Sequence, residues 1–91
     1  MRSLKLSKDA ARFLQKIPTK HGKQIAGRIL ALQADPEGLP TEELKGHPPF
    51  RRLKSGEYRV IYFIDGETLH ITLIGKRNDD DIYKQIARFR K

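Results

Sequence analysis

The period of the hydrophobic positions changes along the chain, and each change marks a new element. Leu4 and Leu6 alternate with charged or polar neighbours, the mark of a short strand. Ser7 offers a capping oxygen and Asp9 follows in the next turn, so a helix starts here. Ala10, Phe13, Leu14 and Ile17 recur at helical spacing and predict an amphipathic helix over Lys8 to Lys16. Pro18 ends it and opens a second helix, because proline tolerates a first-turn position. Ile25, Ala26, Ile29, Leu30 and Leu32 form the apolar stripe of that helix. Lys20, Lys23 and Arg28 mark its polar side, and Asp35-Pro36 stops it.

Residues Glu37 to Pro49 hold three prolines and two glycines and read as irregular, with Glu42-Glu43-Leu44-Lys45 as one helical turn. The period then falls from 3.6 to 2. Phe50 to Lys54 reads as a strand, Ser55-Gly56 as a tight turn and Glu57 to Ile64 as a second strand. Asp65-Gly66 is a hairpin signal, and Leu69 to Ile74 is a third strand. Asn78 caps a last helix over Asp79 to Arg90, with Asp79, Asp80 and Asp81 in its first turn and Ile82, Ile86 and Phe89 on its buried stripe. The order is β-α-α-β-β-β-α. It predicts one α+β domain over residues 1–91: an N-terminal strand and helical hairpin packed on one face of an antiparallel β-sheet, with a C-terminal helix.

Alternation assigns faces to the meander. Leu53, Tyr58, Val60, Tyr62, Ile64, Leu69, Ile71 and Leu73 fall on one face, which must carry the helices. Phe50, Arg52, Lys54, Glu57, Arg59, Ile61, Phe63, His70, Thr72, Ile74 and Lys76 fall on the other. A Ser55-Gly56 turn sets Arg52 roughly opposite Arg59. Like charges facing each other on a sheet repel, and a phosphate between them would compensate both. Beyond Gly75, Lys76 and Arg77 end the strand, and Tyr83 lies one turn into the last helix. From spacing alone Tyr83 reads as a core aromatic more readily than as a site residue, since its neighbour Ile82 faces inward.

Charge strengthens the anion reading. The chain has 91 residues, 19 Lys plus Arg and 11 Asp plus Glu, for a net charge of +8. A small domain this basic attracts polyanions, nucleic acid above all, or an acidic protein partner. It contains no cysteine, which excludes disulfides, thiolate metal sites and cysteine nucleophiles. His21, His47 and His70 lack metal-ligand spacing; His21 and His47 read as loop residues. Asp79 to Asp81 serve a helix start better than a metal. No apolar run exceeds Val60 to Ile64, so the sequence leads us to expect a cytoplasmic protein, with no metal or other cofactor and no membrane partner.

Three segments resemble the RelE/ParE toxin superfamily. Arg52-Leu53-Lys54-Ser55-Gly56-Glu57-Tyr58-Arg59-Val60-Ile61-Tyr62 is similar to its central hairpin. Gly75-Lys76-Arg77-Asn78-Asp79-Asp80-Asp81-Ile82-Tyr83 is similar to the end motif of its RelE branch, and Leu44-Lys45-Gly46 to the segment leading into its sheet. The resemblance implies a toxin that cuts mRNA in the ribosomal A site by attack of a 2′-hydroxyl on the adjacent phosphate, without a metal. It implies that Arg59 holds the scissile phosphate, that Arg77 is a second catalytic arginine, and that Tyr83 stacks or transfers a proton. Of the family's basic pair on the first meander strand, Arg52 carries over and Phe50 departs from lysine, with Lys54 a nearby stand-in. Lys54, Lys76 and Lys45 are the implied RNA contacts. Some relatives use a glutamate before the sheet, a place Glu42 occupies. A cognate antitoxin is implied as partner, with Ile61, Phe63 and Ile74 available to dock it. Two alternatives stay open: a toxin of the same fold that binds a protein such as gyrase, and an inactive, antitoxin-binding member.

Overall fold

The computed structural model describes residues 2–44, 46–76, 84 and 86. Strand β1 (Ser3–Leu6) is followed by helices α1 (Lys8–Lys16) and α2 (Thr19–Ala34), then by strands β2 (Thr41–Glu43), β3 (Arg51–Ser55), β4 (Tyr58–Asp65) and β5 (Thr68–Lys76). The strands form one sheet in the order β1-β5-β4-β3-β2. Four neighbouring strands form an antiparallel ladder, and β1 joins its far edge parallel to β5. The sheet is therefore mixed, where the sequence suggested a purely antiparallel one.

Local chemistry accounts for each helix boundary. Ser7 Oγ accepts a hydrogen bond from the Ala10 amide and so caps α1. The Pro18 carbonyl accepts from the amides of His21 and Gly22 and starts α2 without a side-chain cap. Ala10, Phe13, Leu14 and Ile17 face the sheet as expected. In α2, Ile25, Ile29 and Leu32 are buried, but Ala26 and Leu30 turn outward, Leu30 being 57% exposed. The inward stripe is narrower than the apolar positions suggested.

Where a helical turn was expected over Glu42 to Lys45, Glu42 and Glu43 belong to β2 and Leu44 follows it as irregular chain. Glu42 pairs with Arg52 and Glu43 with Arg51. Opposite charges face each other across that ladder, which stabilises an extended partner strand.

Two departures move the second face. The first hairpin loop is Gly56-Glu57, since Ser55 pairs with Tyr58. Gly56 has a positive φ of 59°, which glycine tolerates at that loop position. This register sets Lys54, not Arg52, opposite Arg59, and Arg52 opposite Ile61. Further on, Ile61 pairs with Leu73 but Tyr62 pairs with Ile71, so β5 carries one extra residue, Thr72. The bulge is tied down by Ser7, whose amide donates to the Ile71 carbonyl and whose hydroxyl donates to the Thr72 carbonyl.

The bulge reverses the parity of β5. Leu73 moves to the second face and Ile74 to the face under α1 and α2. The main core there gathers Ile25, Ile29, Leu32, Leu53, Val60, Tyr62, Leu69 and Ile71, each at 3% exposure or less. Each such side chain contributes about 1.5–3 kcal/mol of burial. On the opposite face Leu44, Phe50, Ile61, Leu73 and Ile86 form a second cluster. Ile86 is helical and 1% exposed, so its stripe assignment holds. Its cover lies on the second face, where no helix was expected. Asn78, the acidic run Asp79 to Asp81, Ile82 and Phe89 lie outside the described residues.

Candidate nucleic-acid interface

The β3–β4 hairpin brings three predicted site residues together. Arg52, Lys54 and Arg59 share one face because each is displaced by an even number of positions from the cross-strand pairs Arg52–Ile61 and Lys54–Arg59. Arg52 and Lys54 lie about 6.6 Å apart along β3. Arg59 faces Lys54, and its neighbour on β5 is Gly75, which brings no side chain to the pair.

Arg59 folds back over the turn. Its Nη1 donates to the carbonyls of Gly56 at 3.0 Å and Tyr58 at 2.8 Å. Among the described residues it has no carboxylate partner. The other two cations do have one. Arg52 Nη2 donates to Glu42 Oε2, and Lys54 Nζ lies 3.6 Å from Glu42 Oε1. The Arg52 hydrogen bond, reinforced by the charge of Lys54, holds the Glu42 carboxyl below its ordinary pKa. A cavity of about 150 Å³ lies against this group, lined by Pro40, Thr41, Glu42, Arg52 and Lys54. Like charges at Lys54 and Arg59 are thus tolerated by a carboxylate on one side and carbonyl oxygens on the other.

Other predicted residues fall elsewhere. Lys76 pairs with Tyr58, a member of the main core, so it follows the register of the helix-covered face rather than that of Arg59. The bulge at Thr72 is the reason. Lys45, Arg77 and Tyr83 lie outside the described residues. Ile61 is fully buried under its own cluster and Ile74 belongs to the main core, so neither is available to dock a partner; Phe63 is half-buried. Phe50 is 5% exposed within the second cluster, so the position departing from lysine is filled by packing.

The histidines also resolve. His21 lies in α2, not a loop, with its ring 5.5 Å from that of Tyr58. His70 stacks on Phe63 at 4.5 Å. Among the described residues no three His, Cys, Asp or Glu side chains gather to hold a metal. No described helix is long and apolar enough to cross a membrane. A larger cleft of about 820 Å³ opens elsewhere, between Arg2, Asp35, Leu39, Arg51 and Tyr62, and holds none of the predicted site residues. There Arg51 donates to Thr41 Oγ1 at 3.2 Å and lies 3.6 Å from Glu43.

Glu42 is the residue sequence reading undervalued. Its signal was the acidic pair Glu42-Glu43 ahead of the basic pair Arg51-Arg52, which fits charge pairing across an edge hairpin.

Residues 4–81 match the family model described as the ParE toxin of the type II toxin-antitoxin system parDE. The chain belongs to this toxin family. It is a type II toxin of the RelE/ParE superfamily, and solved structures agree on the fold. The Escherichia coli RelE toxin, as a mutant in the free state, superposes with a TM-score of 0.80 at 17% identity, covering 97% of this chain and 96% of that one. The archaeal RelE in the RelE–RelB complex of Pyrococcus horikoshii gives 0.72 at 24% identity, covering 85% and 96%. The chromosomal ParDE system of Pseudomonas aeruginosa gives 0.72 at 20% identity, covering 84% and 96%. No curated protein sequence matches the chain.

Proposed function

We propose that this toxin is a metal-independent endoribonuclease that cuts mRNA in the ribosomal A site and so stops translation. The observation that carries the reading is Arg59. It sits on the second face opposite Lys54, and carbonyls are its only described partners. A guanidinium so held is positioned to take a phosphate in two-pronged geometry.

The chemistry asks for three things. A base must take the 2′-hydroxyl proton, cations must steady the phosphorane, and an acid must protonate the leaving 5′-oxygen. The products are a 2′,3′-cyclic phosphate and a 5′-hydroxyl. Arg59 binds the scissile phosphate. Arg77, which directly follows the last residue of β5, is the second arginine, and Tyr83 stacks on a base or transfers the proton. Arg52 and Lys54 support the phosphate, while Lys76 and Lys45 meet the flanking RNA backbone. A cognate antitoxin restrains the toxin in the cytoplasm, as RelB accompanies RelE in the Pyrococcus horikoshii complex.

A second reading has its own support. The family model that matches is that of ParE, and the buried Phe50 denies the face a basic residue. Both fit a toxin that binds a protein such as gyrase. Induced expression of the chain with primer extension on a reporter mRNA separates the two. In-frame cuts within translated codons are expected; growth arrest with intact mRNA and a DNA-damage response would overturn the nuclease.

A further inference from the structure

The cations of the second face are not equally free. Glu42 spans Arg52 and Lys54, one carboxylate oxygen to each, beside the cavity that they line. Two oxygens on two cations is also how an RNA phosphate would seat itself there. The carboxylate comes from β2, a three-residue strand that among the described residues pairs with β3 alone. The Glu42 side chain is 54% exposed and that of Lys54 55%, so water competes for the pair and the bridge exchanges readily.

We propose that Glu42 is a tethered anion that occupies the Arg52–Lys54 pocket and must swing aside before an RNA phosphate can enter it. The inference rests on the RNA reading above and adds a built-in competitor to it. Arg59, which no described carboxylate occupies, makes the first contact, and the pocket closes on the neighbouring phosphate only when β2 yields its carboxylate. Exchange of one anion for another releases few counterions. The wild-type protein therefore gains less from low salt than its count of surface cations suggests.

The test uses the full chain and a fluorescent 2′-O-methyl RNA decamer, which cannot be cut by 2′-hydroxyl attack. Affinity is measured across a salt series for wild type, Glu42→Gln, Glu42→Asp and Glu67→Gln. The last makes the same charge change at the β4–β5 turn, away from the pocket. Glu42→Gln is expected to bind about 5-fold tighter than Glu67→Gln, with a log–log salt slope steeper by ~0.7, the value for one more phosphate neutralised on a single strand. Glu42→Asp keeps the charge but loses the reach, so it too should bind tighter than wild type. Because Glu42 is exposed, only a slight drop in melting temperature is expected for its variants, and a cooperative transition close to wild type excludes misfolding as the cause. If wild type binds and Glu42→Gln merely equals Glu67→Gln, or binds more weakly, the competitor is refuted while the RNA face stands. If none of the four proteins binds the decamer, both the competitor and the RNA face are refuted.

Discussion

Among the described residues, eleven buried side chains fill the sheet face under α1 and α2, whereas five fill the opposite face. Counted over those residues, the thick core secures the fold, and the thin cluster adjoins a turn end that carries Arg52, Lys54 and Arg59. A sheet with one face wholly committed to packing can carry charge on the other without losing its core. The difference fits the proposal that RNA is bound and cut on one side of the five-stranded sheet.

The largest effects should separate the two faces by stability. Leu53→Ala removes a fully buried side chain from the thick core and is expected to cost about 3–5 kcal/mol, read from urea unfolding. Ile61→Ala empties the thin cluster and should cost about 2–3 kcal/mol. An Ile61→Ala loss equal to or above that of Leu53→Ala would erase the contrast.

Ser7→Ala tests the link that sets the faces. It removes the α1 cap and the hydroxyl bond to the Thr72 carbonyl together. A loss of about 1–2 kcal/mol is expected, with amide exchange at Thr72 and Leu73 rising more than at Leu69. Unchanged exchange at the bulge would show that packing alone fixes the parity of β5.

The smallest effect concerns Glu42 and acid. Its carboxyl titrates below the ordinary 4.5 because Arg52 and Lys54 favour the charged form. A depressed folded-state pKa adds stability above the unfolded value, and that stability is lost as pH falls through the folded one. Glu42→Gln should therefore melt slightly below wild type at pH 7 and level with it at acid pH below that transition. A constant gap at both pH values would show that the bridge contributes nothing to folding.

Much of this was legible in the chain because local chemistry sets it. Ser7 and the Pro18 break fixed the helices, and Gly56 and Gly66, with φ of 59° and 60°, fixed the two hairpins. Register was harder to read. A loop shifted by one residue changed the partner of Arg59 from Arg52 to Lys54 without changing its face, because both ends of the pairing moved together. The bulge was foreshadowed by Leu73-Ile74, two apolar neighbours where alternation allows one, yet only the Ser7 tie to Thr72 shows where the extra residue sits. β2 was missed because its three residues carry no hydrophobic period; cross-strand charge holds it. The Arg52–Lys54–Arg59 grouping came from alternation alone, which survives small register errors. Lys76 did not, since it lies beyond the bulge.

Cleavage of a short mRNA on purified, programmed ribosomes tests the central claim most directly. Wild-type protein should cut once in the A-site codon and leave a 2′,3′-cyclic phosphate in the presence of a metal chelator that leaves the ribosomes intact. Arg59→Ala, melting close to wild type, should be slower by about 100-fold or more in single turnover. Intact mRNA with wild-type protein, or equal rates for the two proteins, would contradict the account.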